Sequence, residues 1–234
     1  MAKMVGMNVV MKQSWTKKAV ALLDENLSED QYKAALNEHL SFEIDSAINL
    51  RKAREILMRV WYRDTDGVEC LQEEGRALAQ KYPEMLTPIN WCMTALAFPA
   101  FADIARLMGK MFDFQDVITT TQIKQKMFDE WGETGTLQTV VAKIVGTMRE
   151  IGGVKSEKTG RQETASIEVT NEEVVSFILR VAMALDCSSY YAFSSLNDFP
   201  FLFPFKYRVT KEQLMQDGRF VLSNFDATLS VALK

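Results

Sequence analysis

From residue 14 to about 112 almost every segment of the chain repeats apolar residues at three- and four-residue spacing, which predicts an all-helical first half. Trp15, Ala19, Leu22 and Leu23 make one stripe, and Tyr32, Ala35, Leu36 and Leu40 a second, opened by Ser28 with Gln31 three residues on as a capping box. Ala53, Ile56, Leu57, Val60 and Trp61 form the inner face of a third helix. Tyr82-Pro83 ends the next one. Thr87-Pro88 reads as an N-cap followed by proline at the first helical position, and Phe101, Ile104, Ala105, Met108, Met111 and Phe112 form a further stripe. The uncharged run Met85 to Ala102 contains Pro88, Asn90 and Pro99, so it reads as two buried helix pieces and not as a membrane span.

After Phe112 the pattern shortens. Asp116 to Ile118 reads as a short strand, and Thr121 as the cap of a helix with Ile123, Met127, Phe128 and Trp131 inward and Gly132 at its C-terminal turn. Thr136 is expected to cap the strongest amphipathic helix of the chain, with Leu137, Val140, Val141, Ile144, Val145, Met148 and Ile151 inward. Gly152-Gly153 ends it. Val154 to Glu157, a turn at Lys158 to Arg161 and a strand at Ser166 to Val169 then predict a two-stranded hairpin.

Helix, glycine turn, helix, Gly-Gly and hairpin is the order of a winged helix-turn-helix, which sets its second helix in the DNA major groove with the hairpin as wing. Thr170 with Glu173 is expected to cap a helix with Val175, Ile178, Leu179, Ala182 and Leu185 inward, packing the wing down. The run Phe193 to Tyr207 is expected to fill core. Lys206 to Val209, a Thr210-capped helix and a hairpin over 219–233 complete a small α+β unit. The fold expected is mainly α: a helical domain over 1–112, a winged helix over 113–170 and a C-terminal α+β unit over 171–234.

Composition adds little beyond a globular core, since 47% of residues are hydrophobic and 25% charged. The formal net charge of −4 excludes wholesale coating of nucleic acid, so any such binding needs a local patch. Cations are in excess over residues 1–63 and 118–163, while 64–117 is acidic. Cys70, Cys92 and Cys187 are widely spaced with no CxxC, which fits neither a disulfide framework nor a zinc site and points to a reducing cytoplasm. The N-terminal stretch Met1 to Met11 is too short and interrupted an apolar run for a signal peptide, and no membrane anchor is expected.

No catalytic pattern emerges. His39 is the one histidine and reads as a partly exposed residue near a helix end, no GxSxG or phosphate-binding loop is present, and Asp64, Asp66, Glu69, Glu73 and Glu74 read as solvated surface. The expectation is a protein that is not an enzyme and has no cofactor, no metal and no small-molecule substrate. Arg51, Lys52, Arg54, Arg59 and Arg63 cluster against Glu43, Asp45 and Glu55, a set able to hold phosphates or merely to keep a helix face in water. Gln138, Thr139, Ala142, Lys143, Gly146 and Thr147 are expected on the outer face of the second helix. Small residues there suit either a groove or another helix, and Gln138 and Lys143 are the ones that reach base edges. Lys155, Lys158 and Arg161 would stand on the wing beside the groove.

The sequence resembles the BrxA family of the bacterial BREX anti-phage systems over roughly residues 15–155. The resemblance is carried by LLDENL at Leu22 to Leu27, SAINLRKAREILMRVWYR at Ser46 to Arg63, the Ala-Phe-Pro-Ala-Phe run ending at Phe101, and TLQTVVAKIVGTMREIGG at Thr136 to Gly153. The C-terminal third is longer and richer in strands than that family suggests. The resemblance implies non-enzymatic binding of double-stranded DNA in phage defence beside other defence-system proteins, with contacts from Arg51, Arg54, Lys143 and the wing cations. With Arg59, Gln138 and Thr139 added from the residue reading, the candidate DNA-binding set is Arg51, Arg54, Arg59, Gln138, Thr139, Lys143, Lys155, Lys158 and Arg161. An adaptor that docks a protein on its winged helix, and a winged-helix transcriptional regulator, are the alternatives this pattern leaves open.

Overall fold

The computed structural model describes residues 6–186, 188–225 and 228–234, and the fold is mainly helical with small sheets. The first half comprises α1 (Gln13–Leu23), α2 (Glu29–Ser41), α3 (Ala47–Leu57), α4 (Glu69–Lys81), α5 (Leu86–Ala97) and α6 (Pro99–Phe112). The expected stripes face inward: Trp15, Ala19 and Leu22 meet Tyr32, Leu36 and Leu40, and Ala53, Ile56 and Leu57 close on them. The Tyr32 hydroxyl donates to the Ala19 carbonyl at 2.6 Å, which fixes α2 on α1, and burial pushes that phenol well above its ordinary pKa. Ser28 and Gln31 form the expected capping box. α3 continues into a π turn at Met58–Tyr62.

One boundary differs. A 3-10 turn at Pro83–Met85 leads directly into α5, so Thr87-Pro88 lies inside its first turn and not at its cap. Proline is tolerated there because the first N–H groups of a helix have no intrahelical acceptor.

The second part runs β1 (Ile118–Thr119), α7 (Thr120–Trp131), α8 (Gly135–Glu150), β2 (Val154–Lys155) and β3 (Arg161–Thr164). The strands form an antiparallel sheet in the order β1-β3-β2, with Ile118 opposite Gln162 and Val154 opposite Thr164. Both caps fall two residues earlier than expected. Thr119, not Thr121, forms a capping box with Gln122, and Thr134, not Thr136, accepts the Leu137 N–H at 3.2 Å. The hairpin also returns earlier: β3 is 161–164, and the chain turns away at Ser166, whose φ is 52°. The stretch expected as the return strand is β4 (Ile167–Glu168), which pairs in parallel with β6 (Phe205–Lys206).

The last part holds α9 (Glu172–Asp186), β5 (Tyr191–Ala192), α10 (Lys211–Asp217), β7 (Phe220–Phe225) and β8 (Thr228–Leu233), with β8 between β5 and β7. Among the described residues α9 packs chiefly on α5 and α4, and no substantial contact with the hairpin strands is seen. Its cap is the Asn171 side chain, which accepts the Val174 N–H at 3.1 Å. Glu173, expected in a capping box, instead accepts hydrogen bonds from Lys81 and Tyr82.

The Phe193 to Tyr207 run supplies core, as its prolines suggest. Trp91 on α5 meets Phe101, Phe203 and Phe205 edge-on, with ring centroids 5.0, 5.5 and 5.7 Å away, and its Nε1–H donates to the Phe201 carbonyl at 3.1 Å. Buried apolar side chains from Met7 to Val231 form one contiguous core. Among the described residues no helix is long and apolar enough to cross a membrane.

Candidate nucleic-acid interface

α8 is amphipathic because its apolar residues keep the 3.6-residue period: Leu137, Val140, Val141, Ile144, Val145 and Met148 are all buried. Gln138, Thr139 and Ala142 are exposed on the opposite side, and Lys143 is half-buried. Gln138 donates to Glu133 at 3.1 Å and the Thr139 hydroxyl turns back to the Gly135 carbonyl at 3.4 Å. Gly146 and Thr147 were expected on this outer face and are buried. The segment 6–12 crosses the helix there. The Met11 N–H donates to the Thr147 hydroxyl at 2.9 Å, and a Cβ on Gly146 would stand 2.9 Å from a Val10 methyl. The outer face is therefore covered at Gly146 and Thr147, between the exposed residues of the first half and the exposed Arg149 and Glu150 at the end.

The turn between β2 and β3 is braced. Gly160 takes φ 79°, the Arg161 N–H reaches the Lys158 carbonyl at 3.0 Å, and the Thr120 N–H donates to the Gly160 carbonyl at 2.9 Å, tying the turn to the start of α7. Lys155, Lys158 and Arg161 are exposed on this hairpin, and among the described residues none forms an ion pair with a carboxylate. Lys155 sits opposite Glu163 in the strand register.

The basic helix divides in two. Arg54 spends its donors on Glu55 at 2.8 Å and Asn37 at 3.4 Å, and Arg63 bridges Glu29 at 2.7 Å and Glu55 at 2.9 Å, so these arginines hold α3 to α2. Hydrogen bonds from Arg63 and Lys33 lower the Glu29 pKa. Burial works to raise the Glu55 carboxyl, and the hydrogen bonds from Arg54 and Arg63 outweigh it and hold it low. Arg59 lies over the Phe98 ring at 4.8 Å, and burial lowers its pKa. Arg51 is exposed and Lys52 half-buried, and neither forms an ion pair with a carboxylate among the described residues. α3 packs on α1 and α2, whereas α8 packs on α7 and α6, so the nine candidate residues fall into two groups, Arg51, Arg54 and Arg59 in one and the α8 and hairpin residues in the other.

The residues weighed for catalysis do not gather. His39 lies in the last turn of α2 with its Nε2 buried, and no group of three or more metal-ligating side chains forms among the described residues. Cys70 is exposed and Cys92 buried, while Cys187 lies outside the described residues. Two of the carboxylates expected in solvent are paired: Asp64 with Arg76 at 2.6 Å, and Glu74 with both Arg180 and Arg219.

The π turn in the basic helix carries no sequence signal, because its residues fit an α-helix equally well. Comparison with known proteins gives no match: no protein-family model, no curated protein and no solved structure aligns significantly with this chain.

Proposed function

We propose that this protein binds double-stranded DNA as a winged helix without catalysing a reaction on it. The first half of α8 enters the major groove with Gln138, Thr139 and Lys143, and the β2–β3 turn acts as the wing, with Lys155, Lys158 and Arg161 on phosphates. The observation that carries the reading is a cation set without carboxylate partners among the described residues, on a braced turn whose strand β2 packs against α8, in a sheet of order β1-β3-β2. Arg54 and Arg59 stand outside this contact, since their guanidinium groups are engaged on Glu55 and Phe98. With few cations available, affinity is modest and salt-dependent. The resemblance to BrxA proteins supplies the setting proposed, an accessory role in bacterial phage defence beside other proteins of such a system.

The test is fluorescence anisotropy of a labelled duplex across a salt series, beside a variant carrying Lys143→Glu, Lys155→Glu and Lys158→Glu. The reading expects binding that falls steeply with salt and is lost in the variant while its circular dichroism stays unchanged. Absence of binding at low salt, or equal binding by the variant, overturns it and leaves a protein-docking surface as the better account of the same helix.

A further inference from the structure

The sheet of order β5-β8-β7 ends at β7, which pairs with β8 on one side and with no strand on the other among the described residues. The ladder fixes which backbone groups face the open side, because hydrogen-bonded and non-hydrogen-bonded couples alternate along an antiparallel pair. The Lys234 N–H donates to the Arg219 carbonyl at 3.0 Å, so the couples bonded across to β8 are Val221 with Ala232 and Ser223 with Ser230. The N–H and C=O groups of Phe220, Leu222 and Asn224 therefore point out of the edge of the sheet. No hydrogen bond engages these six groups among the described residues.

Edges of this kind are normally blunted by a charge, a proline or a bulge. β7 has none of them: its sequence FVLSNF is uncharged and free of proline, and all six residues match β8 one for one. β8, TLSVAL, is uncharged too, in a chain with 25% charged residues. Val221 stands 45% exposed beside Ala232. The strand is complementary to itself. With a twofold axis at Leu222, two copies of β7 run antiparallel, Leu222 opposite Leu222, Phe220 opposite Asn224 and Val221 opposite Ser223. Of the antiparallel registers this one engages all six outward groups, and no like charges meet across it.

We infer that β7 is the contact between two copies of this chain, which join their three-stranded sheets into one of six strands in the order β5-β8-β7-β7-β8-β5. The inference goes beyond duplex binding by α8 and stands independently of it. Stable interfaces bury about 1,200–2,000 Å² in total, and a seam of two short strands buries less, so a dimer in rapid exchange at micromolar concentration is expected. Its test is sedimentation equilibrium of the full chain from low micromolar to submillimolar concentration, without DNA. The wild type is expected to pass from monomer to dimer mass. Asn224→Pro removes an outward N–H and leaves the β8 ladder whole, and should weaken the dimer about tenfold or more with circular dichroism unchanged. Val221→Lys/Ser223→Lys and Val221→Glu/Ser223→Glu each set like charges face to face, and each is expected to stay monomeric. An equimolar mixture of the two sets opposite charges face to face and is expected to restore a dimer holding one copy of each. A wild type that remains monomeric throughout overturns the inference. So does a dimer undiminished in Asn224→Pro or in either charged variant, which places the contact elsewhere, and so does a mixture that fails to associate.

Discussion

The backbone N–H of Met11 donates to the buried hydroxyl of Thr147 at 2.9 Å, joining residues 136 apart in sequence. This bond and the Val10 contact on Gly146 hold the N-terminal segment across α8. Thr147→Val keeps the shape and removes the acceptor, leaving a buried N–H unpaired. The expected loss is about 1–3 kcal/mol in urea denaturation. Amide exchange at Met11 should rise with it, and an unchanged exchange rate would show that the bond does not hold the segment.

The Glu74 carboxylate receives Arg180 and Arg219, whose side chains are 10% and 44% exposed. Burial separates their worth. Arg180→Ala removes the buried partner and leaves Glu74 to the solvent-side Arg219 alone, which is expected to cost about 1.5–3 kcal/mol, whereas Arg219→Ala should cost about 1 kcal/mol through Glu74. Equal losses in the two variants would contradict this division.

Asp217 accepts from Arg219 and from the Ser176 hydroxyl. Burial works to raise its pKa, but those hydrogen bonds prevail and hold it below the ordinary 3.8. A carboxylate with a depressed folded pKa contributes stability above its unfolded pKa and loses it as pH falls through the folded value. Asp217→Asn should therefore destabilise by about 1–3 kcal/mol at pH 7, with the gap to wild type closing as the pH drops below 3.8. Melting curves of both proteins across pH 2–7 would reveal it, and a gap independent of pH would contradict it.

Gly109 on α6 lies against the chain at Pro200, where a Cβ would come within 1.9 Å of the carbonyl oxygen. Backbone does not yield as a side chain tip does. Gly109→Ala should cost about 3 kcal/mol or more despite the higher helix propensity of alanine, and thermal denaturation would show a lowered midpoint. A raised midpoint would mean that the two segments separate freely.

On the duplex reading, Lys143, Lys155, Lys158 and Arg161 give a slope of log affinity against log salt of about −3 to −4. Lys158→Gln should flatten it by about one, equally for every duplex sequence. A change confined to particular sequences would assign Lys158 to base edges instead of phosphate.

The α8 stripe was legible because seven apolar residues from Leu137 to Ile151 keep one helical period, and burial alone satisfies that pattern. Cap positions were less so. Thr119, Thr120 and Thr121 are chemically equivalent in the sequence, and the hydrogen bond to Gln122 selects among them. The burial of Gly146 and Thr147 was hidden because the residues that cover them, Val10 and Met11, are distant along the chain and carry no pairing signal. The same holds for β4, whose partner is Phe205 and not the adjacent hairpin. Of the candidate cations, those on the hairpin form no ion pair with a carboxylate among the described residues. Arg54 is engaged on Glu55 beside it and on Asn37 of the preceding helix, and the second partner comes within reach only once α2 and α3 pack.

The surroundings of Trp91 bear on how the chain matures. Two of its three ring neighbours and the acceptor of its indole N–H come from residues 201–205, more than a hundred positions later. During synthesis, which proceeds from the N-terminus at about 5–20 residues per second, the early helices therefore wait several seconds with this indole uncovered. Over that interval the growing polypeptide presents a sticky aromatic surface, and it is the emergence of the phenylalanine-rich segment that relieves it.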